Sequence, residues 1–226
     1  MNKLIFTALL IGFCSFFADA QTSAAAAAAA ADEEDFQSWN DLQLTVAMSK
    51  QVDFFTQATM RFGKNVSRAA DGRFALGFVW KPHESWSFSP FYWHIRARNS
   101  AGRFRTEHRL NLRAVYRFPF KKFGLQHRSW FEYRLRRPLN SWRYRPSLTF
   151  EKDLPKKIVR GARVFVTEEI FYDSLLKKFS RNRFTVGVTK TLTKKLSLDV
   201  YFMRQNDGFS RPGDLNVVGT AWKVRW

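Results

Sequence analysis

Apolar and polar residues alternate with a period of two along most of the chain beyond residue 35, most clearly in the stretch 103–118, RFRTEHRLNLRAVYRF. Its odd positions are Arg103, Arg105, Glu107, Arg109, Asn111, Arg113, Val115 and Arg117; its even positions are Phe104, Thr106, His108, Leu110, Leu112, Ala114, Tyr116 and Phe118. Successive side chains of a β-strand point to opposite faces, so this segment has a guanidinium face and a mostly apolar face. A row of arginines is costly in a protein core, yet the other face asks for apolar surroundings over more than the usual globular strand length. A membrane-spanning barrel satisfies both, with lipid outside and water or ion pairs inside.

The alternation recurs in segments bounded by turn-forming residues, predicting strands near 36–48, 51–63, 72–81, 85–98, 103–118, 126–137, 142–152, 158–172, 181–192, 195–206 and 214–226. Phe54, Met60 and Phe62 oppose Asp53, Thr59 and Arg61; Trp142, Tyr144 and Phe150 oppose Arg143, Arg145 and Glu151; Leu198, Val200 and Phe202 oppose Asp199 and Gln205. Two segments are less regular. Around Ser89-Pro90 the apolar set passes from Trp86 and Phe88 to Phe91, Trp93 and Ile95, which predicts a bulge there. The segment 158–172 is apolar on both faces, and its adjacent Glu168 and Glu169 leave its facing open.

The expected fold is therefore all-β: a single antiparallel transmembrane β-barrel of about 10–12 strands with short periplasmic turns and longer extracellular loops. The turns at 49–50, 81–84, 119–124 and 193–194 read as short, and the connections 64–71, 173–180 and 206–214 as longer and polar. Eleven segments conflict with the even strand number of single-chain bacterial barrels, so the pattern favours 10 or 12. The last segment sets Trp222, Val224 and Trp226 on one face at the end of the chain, resembling the C-terminal signal by which outer-membrane barrels are recognised for assembly.

Composition narrows the setting. The chain carries a formal net charge of +19 and 17% aromatic residues, and a large basic excess calls for a polyanion, anionic lipid or nucleic acid as partner. Residues 1–20 read as a secretory signal peptide: Lys3, an apolar run from Leu4 to Phe17, and Ala18-Asp19-Ala20 before cleavage near Ala20-Gln21. Export excludes intracellular nucleic acid and places the protein in the bacterial outer membrane. The single cysteine, Cys14, lies in the signal, so the mature chain has no thiol chemistry. Residues 21–35, eight alanines followed by Asp32-Glu33-Glu34-Asp35, read as a leader with a solvated acidic tail; residues 36–226 form the barrel.

The wording of several stretches adds a family. EDFQSWNDLQLT (34–45), RFGKN (61–65), NSWRYRPSLTFEKD (140–153), FYD (171–173), SRNRFTVGV (180–188), YFMRQNDG (201–208) and RPGD (211–214) resemble the domain of unknown function 2490 family of Bacteroidota-type Gram-negative bacteria. The resemblance covers the chain from Glu34 to Trp226 and implies an outer-membrane β-barrel. It brings no established activity and no catalytic residue.

The strongest constellation is the basic face: Arg61, Arg73, Arg103, Arg105, Arg109, Arg113, Arg128, Arg134, Arg136, Arg143, Arg145, Arg181 and Arg183. The acids Glu107, Glu132, Glu151 and Asp199 lie among them, so on this reading arginines outnumber acids 13 to 4. Guanidinium forks suit carboxylates and phosphates, and a lumen lined this way favours small anions. Two competing readings stand beside a porin-like role. His127 and Ser129, two apart on the apolar face, resemble the arrangement in outer-membrane lipid A deacylases and would make the protein a lipid-modifying hydrolase. Alternatively, cross-strand ion pairs close the lumen and the barrel is structural, contacting lipopolysaccharide. No histidine has metal-ligand spacing, no phosphate loop is present, and no cofactor is expected. The expected partners are outer-membrane lipid, lipopolysaccharide, the assembly machinery and small anions. Lysine pairs at turns and most of the eight tryptophans read as anchors at the membrane interfaces.

Overall fold

The computed structural model describes residues 34–99, 102–155, 157–210 and 212–226. The signal segment and most of the leader lie outside the described residues. Eleven strands follow in order: β1 (Asp35–Ala47), β2 (Val52–Gly63), β3 (Arg68–His83), β4 (Trp86–Arg98), β5 (Phe104–Arg117), β6 (Gly124–Leu135), β7 (Ser141–Asp153), β8 (Ala162–Asp173), β9 (Lys178–Thr191), β10 (Leu196–Asp207) and β11 (Leu215–Arg225). Each pairs antiparallel with its neighbours in sequence, and β1 pairs with β11 to close a barrel. At about 3.3 Å per residue and a tilt near 45°, a strand of 12 or 13 residues rises roughly 28–30 Å, the thickness of a bilayer's hydrocarbon core.

The strand number is odd, and every predicted segment is a full strand. An odd set of alternating strands leaves the first and last pointing the same way, so the closing pair must be parallel. β1 and β11 are paired in that sense from Asp35 opposite Leu215 to Thr45 opposite Arg225. Eleven falls within the expected 10–12, and only the even number gives way, to an odd count with one parallel seam. β1 thus begins at one mouth, here the N-terminal mouth, and β11 ends at the opposite, C-terminal mouth.

Alternation sets the wall. Leu42, Leu44, Phe74, Leu76, Phe78, Leu110, Leu112, Val186, Val188, Val200 and Phe202 are exposed on the outside, while Asp53, Arg109, Asn111, Glu132, Arg145 and Gln205 are buried inside. This is an apolar wall around a polar interior, the architecture of a membrane-spanning barrel. Among the described residues no helix is long and apolar enough to cross a membrane.

Four local features differ from the sequence reading. The segments read as long polar loops are partly strand: β3 starts at Arg68 and β9 at Lys178. Connections accordingly run from two to eight residues at the C-terminal mouth and from four to seven at the N-terminal mouth, without a marked difference in size. β4 keeps its phase through Ser89-Pro90, pairing without interruption with β5; the register shift lies between Trp80 and His83. Phe91, Trp93 and Ile95 are therefore inward residues, buried inside the barrel. Finally, Glu169, Phe171 and Asp173 of β8 are buried inside, so Glu168 faces outward.

Asp35, read as the end of a solvated tail, is a buried residue of the barrel. Its carboxylate accepts the backbone N–H of Lys64 at 3.0 Å and of Asn65 at 2.8 Å, and the Gln37 side chain donates to it at 2.8 Å. Those contacts hold the β2–β3 turn, in which Lys64, Asn65 and Val66 all have φ between 52° and 65°. A β-branched residue rarely occupies this left-handed region.

Candidate functional site

The interior is built from the inward positions of all eleven strands and falls into two halves. Toward the N-terminal mouth it is filled by an alternating series of acids and arginines. Asp173 accepts from Arg143 at 2.6 Å and lies 3.8 Å from Arg134; Arg134 donates to Glu107 at 2.5 and 3.0 Å, and Glu107 also accepts from Arg109 at 2.8 Å. Arg109 reaches Glu132 at 3.3 Å, Glu132 accepts from Arg145 at 2.5 Å, and Arg145 forks onto Glu169 at 2.9 and 3.0 Å. Glu169 closes the series by accepting from Arg128 at 2.6 Å, with Arg183 3.8 Å away. Across the barrel Arg73 binds Asp71 through two 2.8 Å bonds, Arg61 stands 3.7 Å from the same carboxylate, and Arg181 pairs with Asp207. Desolvated guanidinium–carboxylate pairs are tolerated when several hydrogen bonds satisfy each ion; here the carboxylates are well supplied, while Arg61 Nε, Arg128 Nε, Arg134 Nη1 and Arg145 Nε are buried without a partner among the described residues.

Aromatic rings are wedged into this ionic layer. Phe55, Phe91, Trp93 and Trp130 form one buried cluster with Ala75 and Ile95; Trp39, Met203, Leu215 and Val217 form another. Arg145 lies 3.9 Å from the Trp130 ring centre and Arg61 3.4 Å from that of Trp39. Trp39, Trp93 and Trp130 thus fill the interior instead of marking membrane interfaces. Trp80, Trp86, Trp142, Trp222 and Trp226 are exposed on the outside. The C-terminal residues Trp222, Val224 and Trp226 share the outward parity of β11, and the Trp226 N–H donates to the Thr45 carbonyl across the seam.

Of the sequence-predicted basic face, Arg61, Arg73, Arg105, Arg109, Arg113, Arg128, Arg134, Arg143, Arg145, Arg181 and Arg183 occupy inward positions of their strands. Arg103 and Arg136 sit in connections at the N-terminal mouth. Glu107, Glu132 and Asp199 are inside, while Glu151 stands at the C-terminal rim, 3.4 Å from Arg163. The ratio of 13 to 4 does not survive, because inward acids were missed. Asp35, Asp173 and Asp207 sit at strand ends, Asp71 lies in a stretch that read as loop, and Asp53, which its alternation sets on the polar face with Arg61, was left out of that count. Asp41 and Glu169 complete the set, the latter on the strand whose facing alternation could not decide. Most of the arginine surplus is therefore answered by carboxylates.

Arg105 and Arg113 are the exceptions: among the described residues no carboxylate lies within 4.0 Å of either. Arg105 is exposed near the N-terminal mouth, whereas Arg113 lies deeper and reaches only Ser89 Oγ, at 3.5 Å. The faces of Phe91, Phe55 and Trp130 surround its guanidinium at 5.4, 5.9 and 6.0 Å. Toward the C-terminal mouth beyond it, the inward positions include the polar side chains Thr45, Gln126, Thr149, Thr167, Thr189 and Ser197, with Val79, Val115 and Phe165 among them. Near the N-terminal mouth Asp173 and Asp207 are 4% and 3% exposed while Arg103 and Arg105 are exposed; at the C-terminal mouth Asp153 and Arg225 are 74% and 58% exposed while Asp53 is 4% exposed. Near the N-terminal mouth Gln205 donates to the Gly213 carbonyl at 3.1 Å.

On the outer wall, His127 Nε2 lies 3.1 Å from Ser129 Oγ, which is itself 3.0 Å from the Tyr144 hydroxyl. Among the described residues no carboxylate is within hydrogen-bonding distance of His127. Glu168, an outward acid of β8 two strands away, accepts from Asn182 at 3.0 Å. Among the described residues no group of His, Cys, Asp and Glu is arranged to hold a metal ion.

Among solved structures the chain is similar to a KdgM porin, with 10% identity and a TM-score of 0.45 over 74% of this chain and 82% of that one. It is also similar to an anion-selective porin from Comamonas acidovorans, with 10% identity and a TM-score of 0.38 over 75% of this chain and 55% of that one, so that it spans about half of the second porin's length. No curated protein matches the sequence. The description of DUF2490, "Protein of unknown function", matches residues 36–216, so that nearly the whole described barrel lies within the match and the chain belongs to that family.

Proposed function

We propose that the protein is a non-enzymatic outer-membrane barrel that draws small anions into its arginine-rich interior through the C-terminal mouth. The observation that carries this reading is Arg113, a guanidinium inside the barrel with no carboxylate within 4.0 Å among the described residues. Its charge needs a counter-ion, and a mobile anion is the partner left to it. The crowded N-terminal half makes the passage narrow and the current small. Lipid and lipopolysaccharide surround the outer wall, residues 1–20 direct export, and Trp222, Val224 and Trp226 present the assembly signal. The test is planar-bilayer recording of purified protein under a potassium chloride gradient. A reversal potential on the chloride side of zero is expected; no conductance, or no anion preference, would overturn the reading.

A second reading rests on the 3.1 Å contact of His127 with Ser129 on the outer wall. A base beside a hydroxyl is the minimum for a serine nucleophile acting on membrane lipid. With no acid to orient His127, and with Tyr144 sharing the hydroxyl, the arrangement is incomplete as a hydrolase. Release of fatty acid from lipid A or phospholipid by the pure protein, abolished by Ser129→Ala, would establish it.

A further inference from the structure

Four neighbouring strands bring an uncommitted set of hydrogen-bond donors to one patch of the interior. Ser89 of β4 is opposite Arg113 of β5, Arg113 is opposite Trp130 of β6, and Arg128 of β6 is opposite Ser147 of β7. Arg113 and Arg128 are therefore diagonal neighbours on the same inner face, close enough for long side chains to converge. Ser147 is itself opposite Glu169 of β8, the carboxylate that holds Arg128.

The donors in this patch are not used up. Arg113 spends one long contact on Ser89 Oγ and leaves the rest of its fork free. Arg128 commits Nη2 to Glu169, but its buried Nε has no partner. Ser147 is 5% exposed and its Oγ has no hydrogen-bond partner. Unmade hydrogen bonds of buried donors are costly and are normally satisfied, so Arg128 Nε and Ser147 Oγ, with Arg145 Nε likewise unpartnered beside them and the free fork of Arg113, point to a missing acceptor.

Charge points the same way. Beside Arg113, Arg128 and Arg145 contact two carboxylates here, Glu132 and Glu169, and each of these is shared with a further arginine, Arg109 or Arg183. The patch keeps a positive excess in a setting where aromatic rings exclude water. From it toward the C-terminal mouth the inner wall bears threonine and serine hydroxyls together with Val79, Val115 and Phe165.

We infer that Arg113, Arg128 and Ser147 bind one tetrahedral oxyanion of the phosphate class, free phosphate or a small phosphate monoester, entering from the C-terminal mouth. This rests on the reading of the interior as anion-taking, and makes that reading specific. A planar guanidinium fork grips two oxygens of a tetrahedral oxyanion, the second Nε and the hydroxyl reach further oxygens, and a spherical halide cannot use all of them. The hydroxyl-bearing wall above supplies partners for the alcohol part of a monoester.

The experiment is titration calorimetry on the full chain folded in detergent, with inorganic phosphate and glycerol phosphate as separate probes. Heat-modifiable gel migration verifies that each variant is folded. Wild-type protein should bind at least one probe, tighter binding of glycerol phosphate marking the monoester as the better ligand. Arg113→Met should weaken binding roughly tenfold or more, Ser147→Ala by several-fold, and Arg113→Lys by an intermediate factor, since it keeps the charge and loses the fork. Arg96→Gln removes a positive charge from the outer wall and should leave binding unchanged. Absence of binding by wild type, or equal binding by folded Arg113→Met, overturns the site. The bilayer measurement separates the two ideas. Chloride-selective current that phosphate fails to block, together with no binding, removes the site and leaves the anion-taking barrel standing. Absence of anion preference removes the barrel reading, while calorimetry still decides the site.

Discussion

Arg145 lies over the Trp130 ring at 3.9 Å and divides its guanidinium between Glu132 and Glu169. The two aromatic clusters and the ion-pair series are thus one structure, with the rings displacing water from around the charges and the charges fixing where the rings stand. An eight-stranded barrel is filled by ordinary side chains, and eleven strands enclose more space. Here the largest side chains available, Arg and Trp, occupy it.

Glu132 is the residue on which that layer most depends. It is 0% exposed and accepts from both Arg109 and Arg145. Glu132→Gln leaves two guanidiniums short of a counter-charge in a dry interior, and breaking such a pair costs about 3–5 kcal/mol. Glu151→Gln at the rim, where the partner Arg163 is half exposed, should cost under about 1 kcal/mol. Denaturant unfolding followed by heat-modifiable migration compares the two; similar midpoints would contradict the ranking.

Two glycines of β3 make a matched pair. A Cβ on Gly77 would lie 2.3 Å from Phe91 Cβ and 2.5 Å from the Pro90 carbonyl oxygen, both fixed parts of the adjoining strand, whereas one on Gly72 would meet nothing within 4 Å. Gly77→Ala should force β3 and β4 apart and displace Phe91 from its cluster, costing about 1–3 kcal/mol as overpacking does. Gly72→Ala should be neutral or slightly stabilising, because alanine restricts the unfolded chain. Paired thermal melts decide, and equal losses would show that the strand spacing adapts.

How far the sequence disclosed this structure depended on how strict each strand's alternation is. In 103–118 arginine and leucine never share a face, so the facing of β5 was legible. In β8 valine and phenylalanine occupy both faces, and the adjacent Glu168 and Glu169 fit either phase; only pairing with β7 and β9 decides. β4 misled for a different reason. Alternation assigns apolar residues to lipid, but Phe91, Trp93 and Ile95 pack on one another inside, a tertiary arrangement that no single strand encodes. The same limit hid the acids, because an aspartate at a strand end has the composition of a turn. The site around Arg113 was legible as one arginine in a row, and its lack of a carboxylate required knowing where every acid points.

The β2–β3 turn gives a test of backbone strain. Asp35→Ala removes the carboxylate that accepts from Lys64 N–H and Asn65 N–H and should cost about 2 kcal/mol, within the range for hydrogen bonds to a charged group. Val66, at φ 65°, holds a conformation that costs roughly 1–2 kcal/mol for a residue with a Cβ. Val66→Gly should therefore recover up to about 1 kcal/mol, and should partly rescue Asp35→Ala in the double variant. Unfolding midpoints of the three proteins check this, and strict additivity would separate the carboxylate from the strain.

Arg113 should behave in the opposite way to Glu132. Removing one partner of a buried pair leaves a charge exposed to low dielectric, but Arg113 has no carboxylate to orphan, so Arg113→Met removes a desolvated charge and leaves none behind. Methionine is flexible, fills comparable space, and makes favourable sulfur contacts with the Phe55, Phe91 and Trp130 rings that now surround the guanidinium. The variant should be at least as stable as wild type in anion-free buffer, by about 1 kcal/mol, while its anion affinity falls. Added phosphate should then raise the melting temperature of wild type and leave that of Arg113→Met unchanged, since a ligand stabilises only the folded state that binds it. A residue kept at a cost to folding and recovered through a ligand is serving that ligand. A loss of stability as large as that of Glu132→Gln would instead assign Arg113 to packing.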